Sequence, residues 1–207
     1  LFERKVIALF HIRLGPNKVS FIGLLQPLLD AFKLLSKQNM IPLRSNKLTY
    51  NIAPIRALFL SLFVWVTIPS MYVFTSLNFS LIIFFCISSV LVFSVLLAGW
   101  SSNSKYSLIG SLRSVAQSIS YESVFRTLLV MLIFIRSFQF IRSSINLSLL
   151  LLWVICTLAE THRAPFDFRE SESELVSGFN TEYSGVYFAF IFLSEYGVLL
   201  FSCMLIY

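Results

Sequence analysis

The chain has 207 residues, 57% of them hydrophobic and only 13% charged, where ordinary globular domains carry about 25% charged residues. A water-soluble fold of this length cannot hide so much apolar surface, so the alternative solvent is lipid. The net charge of +6 does not point to nucleic acid, because the cations sit in loops beside apolar runs, as in polytopic membrane proteins.

Leu1–Arg13 reads as the polar end of a first helix. Its charged start does not fit a cleavable signal peptide, and both ends of the chain read as cut. Residues 21–37 come next, with Phe21, Leu24, Leu25, Leu28, Phe32 and Leu35 at helical spacing and Gln26, Asp30, Lys33 and Lys37 on the other face. That pattern predicts an amphipathic helix lying in the interface or against neighbouring helices. Pro27 fits only in its first turn.

Asn39–Pro54 carries loop punctuation. Spans are then expected over about 57–77, 79–98, 119–141, 143–160 and 184–207, with a polar connection over 99–114 and an acidic loop over 161–183. The fourth span is short, about 26 Å for the 17 residues from Ser143 to Ala159 at 1.5 Å each, against a hydrocarbon core of about 30 Å. Placing 1–54, 99–118 and 161–183 on one side gathers twelve of the 16 Lys and Arg there. That face is therefore cytoplasmic or mitochondrial matrix. The fold class is all-α, a single membrane domain: a polytopic transmembrane helix bundle with an interfacial helix and a long acidic matrix-side loop.

Charged groups within spans are expensive and mark function when they are neither paired nor solvated. Glu122 and Arg126, four apart on one helical face, read either as a neutralised structural pair or as a working carboxylate with its counter-ion. Glu160, at the membrane boundary, has Arg163 three residues on. Glu195 falls about 16 Å along the last span, near the midplane, with no cation in its own span. The acidic loop interleaves charge with Phe166, Phe168, Leu175, Val176 and Phe179, as a docking surface would. His11 and His162 lie in loops, which argues against haem ligation. Cys86, Cys156 and Cys203 have no metal or disulfide spacing, and nucleotide-binding and HExxH signatures are absent from the sequence.

Four blocks carry a resemblance: Glu3-Arg4-Lys5 with Arg13-Leu14-Gly15-Pro16-Asn17; Gly23-Leu24-Leu25-Gln26-Pro27 through Asp30 to Leu34; Gly99-Trp100-Ser101-Ser102-Asn103-Ser104-Lys105-Tyr106 on to Arg113 and Ser120-Tyr121-Glu122; and Ala159-Glu160-Thr161-His162-Arg163-Ala164-Pro165-Phe166-Asp167 with Glu172 to Phe179. Glu182-Tyr183 and Glu195-Tyr196 follow. The chain resembles subunit 1 of respiratory complex I, NADH:ubiquinone oxidoreductase, across nearly its whole length.

The resemblance implies a subunit at the junction of membrane and peripheral arms that forms the ubiquinone-access tunnel and has no redox centre of its own. Ubiquinone would be the substrate, with NADH, FMN and iron–sulfur clusters confined to partner subunits. Arg4, Arg13, Asp30 and Arg113 would line or support the tunnel, with Phe166, Asp167, Glu170, Glu172 and Glu174 along its inner reach. Glu122, Glu160 and Glu195 would form a proton relay. Partners would be other membrane-arm subunits, the peripheral-arm quinone-module subunits and lipid. Members of the family have about eight spans, so truncation or a second polypeptide would account for the rest. His162 replaces a usual Asn and Ser171 a usual Gly, and Arg169 adds a cation to the loop. The Phe-rich composition fits the mitochondrial inner membrane, with a bacterial plasma membrane as the alternative. The rival functions are the homologous subunit of a hydrogenase-type complex and an autonomous secondary transporter.

Overall fold

The computed structural model describes residues 1–67, 80–137, 144–163, 166–167 and 178–206. All regular structure among the described residues is helical, as the composition and spacing predict. The helices are α1 (Phe2–Phe10), α2 (Gln26–Ser36), α3 (Lys47–Val64), α4 (Ser80–Ser101), α5 (Lys105–Ser137), α6 (Ser144–Glu160) and α7 (Gly185–Ile206). Three of the described stretches are long and apolar enough to cross a membrane: Lys47–Thr67, Ser80–Ser101 and Gly185–Met204.

Helix α2 has Pro27 in its first turn and Lys33 in its last, both placements that favour a helix. None of its residues is buried, and the whole apolar stripe from Phe21 to Leu35 is exposed. The helix is held to α1 by polar contacts instead. Arg4 donates to Asp30 at 3.1 Å, Gln26 donates to the same carboxylate at 2.9 Å, and Lys5 reaches the Ile22 carbonyl.

Helix α3 starts at Lys47, ten residues before the expected span, with Asn46 as its N-cap and Pro54 inside it. Pro54 read as punctuation because proline removes an amide donor; here it is buried within the helix. The polar connection expected over 99–114 is a short turn, and most of it is helix. Its serines fold back on their own helices: Ser101 donates to the Ala98 carbonyl, Ser111 to Leu108 and Ser114 to Ser111. Hydroxyls satisfied in this way can be buried at little cost, and Ser101, Ser102, Ser107, Ser111 and Ser114 all are. Their small size brings α4 and α5 together so closely that a Cβ at Gly99 would collide with the Ser111 side chain. The loop before α3 is tied to this turn by Asn46 N–H to the Ser101 carbonyl (3.0 Å) and Asn103 Nδ2 to the Arg44 carbonyl (3.0 Å).

Helix α3 packs between α4 and α7, and α5 between α4 and α6. Two apolar clusters hold the bundle. One joins Val64, Phe84, Ile87, Phe125, Leu128, Trp153, Cys156 and Phe201, drawing on all five long helices. The other joins Tyr50, Ala53, Ala98, Phe179, Tyr183 and Ile191, where the turn before α7 packs against α3 and α4. In it Tyr50 stacks on Tyr183 (4.3 Å between ring centres) and donates to the Glu182 carbonyl at 2.6 Å. Burial pushes the Tyr183 hydroxyl up to about 12, with its Ser101 hydrogen bond pulling the other way.

Candidate functional site

Between the two apolar clusters lies a cavity lined by α3, α4, α5, α7 and the end of α6. Glu122, Glu160 and Glu195 all line it, beside the hydroxyls of Ser88, Ser94, Ser114, Ser118 and Ser194. The space open to the centres of water-sized molecules is about 90 Å³, room for several waters, since one needs about 10–15 Å³ on that measure. Three carboxylates from three helices thus line one mostly apolar space with serines in its wall.

Glu122 is buried. Its Oε1 accepts from Arg126 Nη2 and from Ser88 Oγ, each at 2.5 Å. Arg126 also donates to the Phe85 carbonyl at 3.1 Å and lies over the Phe85 ring, 5.5 Å from its centre. The pair expected from the i,i+4 spacing is therefore made, and its carboxylate still reaches the cavity.

Glu160 is the last residue of α6, next to the helix's negative end, a costly place for a second negative charge. Arg163 makes its ion pair with Glu3 of α1, at 2.6 Å, and its guanidinium lies 5.0 Å over the Tyr196 ring. Tyr196 donates to the other Glu3 oxygen at 3.2 Å. Burial opposes the charge on Arg163, but the Tyr196 contact and the fields of Glu3 and Glu195 outweigh it and hold its pKa above the ordinary value. Glu195, without a cation in its own span, thus feels one from the segment after α6.

Of the residues expected at a quinone tunnel, the structure brings Arg4 and Asp30 into one ion pair. Arg13 is exposed at the end of α1 and Arg113 is exposed on α5. Phe166 and Asp167 are half-buried, with Phe166 against Tyr121 at 5.8 Å. Glu170, Glu172 and Glu174 lie outside the described residues.

Gln117 escaped the sequence reading. It is buried on α5, and its Nε2 donates to the Ala159 carbonyl at 2.9 Å and to Phe166 at 2.7 Å. One of these is among the four carbonyls a helix C-terminus leaves unpaired. Gln117→Leu removes the donor to the Phe166 carbonyl and leaves Ala159 with only its long bond from the His162 N–H (3.4 Å); it is expected to cost about 2 kcal/mol, read as a lower melting temperature and faster proteolysis near Phe166. Only its place in the Ser-rich α5 segment could have flagged it.

Residues 1–207 match the family model described as NADH dehydrogenase. The chain belongs to that family. It is 49% identical to the NADH-ubiquinone oxidoreductase chain 1 of Anopheles gambiae, over 99% of this chain and 69% of that protein. The corresponding proteins of Heterololigo bleekeri (46%, 100% of this chain and 69% of that protein) and Artemia franciscana (47%, 99% and 73%) are similar. The resemblance in the four sequence blocks is thus borne out, and with it a membrane subunit of the NADH dehydrogenase family.

Proposed function

We propose that this chain is a core membrane subunit of the proton-translocating NADH:ubiquinone oxidoreductase of the mitochondrial inner membrane. In this reading it provides the ubiquinone-access path and links quinone reduction to proton movement. The carrying observation is the shared cavity: Glu122, Glu160 and Glu195 come from three helices and line one mostly apolar space that also has serines in its wall. Electrons come from partner subunits of the peripheral arm, and reduction of the quinone takes two electrons and two protons. The resulting change of charge is felt by Glu160, at the end of α6, and passed to Glu122 and Glu195 as a shift in which carboxyl holds the proton. Arg126 is ion-paired with Glu122, and Arg163 lies within the field of Glu195.

The quinone side rests on the Arg4–Asp30 pair and on the exposed apolar stripe of α2, which suits an isoprenoid tail. Arg13, Arg113, Phe166 and Asp167, with Glu170, Glu172 and Glu174, would continue that path toward the peripheral arm. The names of the relatives favour this assignment over a hydrogenase-type complex or a free-standing transporter.

Glu195→Gln in the assembled complex is expected to lower coupled ubiquinone reduction at least tenfold, because an amide cannot give or take the proton. NADH oxidation by a water-soluble artificial acceptor should stay at the wild-type rate. Unchanged coupled ubiquinone reduction in both this variant and Glu122→Gln would remove these two carboxylates from the mechanism.

A further inference from the structure

Glu122 is held by two donors, and one of them has a second place to direct its proton. Ser88 Oγ lies 2.5 Å from Glu122 Oε1 and 3.0 Å from the Phe85 carbonyl oxygen. A serine hydroxyl has one proton to give and two lone pairs with which to receive, so it serves one acceptor at a time. The Phe85 carbonyl is also crowded. Ser89 Oγ is 3.0 Å away and Arg126 Nη2 3.1 Å away, beside whatever the helix ladder itself directs there. Two lone pairs cannot accept from all of these together. Ser89 has an alternative in the Cys86 carbonyl at 2.9 Å, whereas the alternative open to both Ser88 and Arg126 is Glu122.

We propose that Ser88 is a positioning residue for Glu122, its hydroxyl turning between two acceptors as the carboxyl gains and loses a proton. With Glu122 ionised, Ser88 and Arg126 both donate to Oε1. When a proton arrives on Glu122, the new O–H donates to Ser88 Oγ, and Ser88 rotates to donate to the Phe85 carbonyl. The Ser88 O–H bond does not break; only its direction changes. Because Ser88 sits on α4 and Glu122 on α5, the rotation carries the protonation state of one helix to the backbone of the next. The charged or titratable groups sharing this space are Arg126 on α5, Glu160 and His162 at the end of α6, and Glu195 on α7. From α4 and α3 the cavity lining is apolar or hydroxyl-bearing.

The proposal rests on reading Glu122 as a proton carrier, and its test separates the two claims. Ser88→Ala, Ser88→Thr and Ser88→Cys are compared with Glu122→Gln in the assembled complex, by infrared difference spectroscopy on quinone reduction and by coupled turnover. Glu122→Gln should remove a carboxyl C=O band. Ser88→Ala should move that same band to higher wavenumber, because the protonated carboxyl loses its acceptor, and lower coupled turnover about tenfold. Ser88→Thr keeps a hydroxyl and has the cavity for its methyl group, so band and rate should stay within about twofold of wild type. Ser88→Cys, a weaker partner, should fall between, and it decides the matter if the alanine variant fails to assemble. A band that Glu122→Gln removes but no Ser88 variant moves overturns the Ser88 role and leaves that of Glu122 standing. If Glu122→Gln removes no band and spares coupled turnover, both claims fall.

Discussion

Arg126→Met should destabilise the bundle by about 3 kcal/mol and abolish coupled turnover, because it removes the cation paired with a buried carboxyl, which must then carry its charge unpaired or take up a proton. This is the low end for breaking a buried pair: the Glu122 side chain is 10% exposed, but that of Arg126 is 36% exposed, so the guanidinium keeps part of its hydration and the pair is partly screened. Methionine fills the space of the aliphatic stem and so isolates the loss of charge from the loss of packing. Arg126→Met with Glu122→Gln together should regain most of the stability, since no charge is then left unpaired, and should still lack coupled turnover. Thermal melting and native-gel assembly of the four members of this cycle measure the coupling directly. Equal melting of Arg126→Met and wild type would mean that the pair is solvated in the assembled complex.

The helices were legible wherever apolar residues dominate. Residues 80–101 and 185–206 could hardly be anything else, and α2 announced itself by its two faces. What misled was polarity. Serine and lysine between 99 and 114 resemble a connection, yet Ser101, Ser111 and Ser114 each find an acceptor three residues back in their own helix, while Ser102 and Ser107 bond each other and the Gly99 carbonyl. The signal was serine spaced along a helix, where its hydroxyl competes least with the backbone when it bonds backwards. Pro54 misled in the same way, since a proline cost judged locally is outweighed by burial in the α3 interface.

For the candidate site, spacing along one helix was readable and partners across the chain were not. Glu122 with Arg126 is an i,i+4 relation, and the structure forms it. Arg163 looked toward Glu160, three residues back, but its ion pair is with Glu3, 160 positions away. The influence of Arg163 on Glu195 has the same origin: the end of α6 is brought beside α7 by packing, which no local pattern encodes. Ser88 and Gln117 were invisible for a different reason. Their types are common in such helices, and only the distances to Glu122, Ala159 and Phe166 distinguish them.

Gly110→Ala should be among the most damaging small changes available, although it adds one methyl group. A Cβ at Gly110 would lie 2.8 Å from Gly178 Cα, 3.1 Å from its carbonyl carbon and 3.1 Å from the Phe179 nitrogen. All three are backbone atoms, so no side chain can swing aside. Nor can the turn give way cheaply by exchanging Gly178 for another residue, because its φ of +58° is one that L side chains disfavour. The strain is expected to reach about 3 kcal/mol, the upper range for an overpacked site. Moving this turn away from α5 withdraws Phe179, which belongs to the second apolar cluster and to the cavity wall. It also loosens the Tyr50 bond to the Glu182 carbonyl and the start of α7, which carries Glu195. Coupled turnover should therefore fall even in whatever fraction assembles. Ser111→Ala, at the next and equally buried position, loses only a bond to its own helix, and a change below about 1 kcal/mol is expected there. Comparable melting of the two variants would show that α5 and the turn do not touch in the working complex.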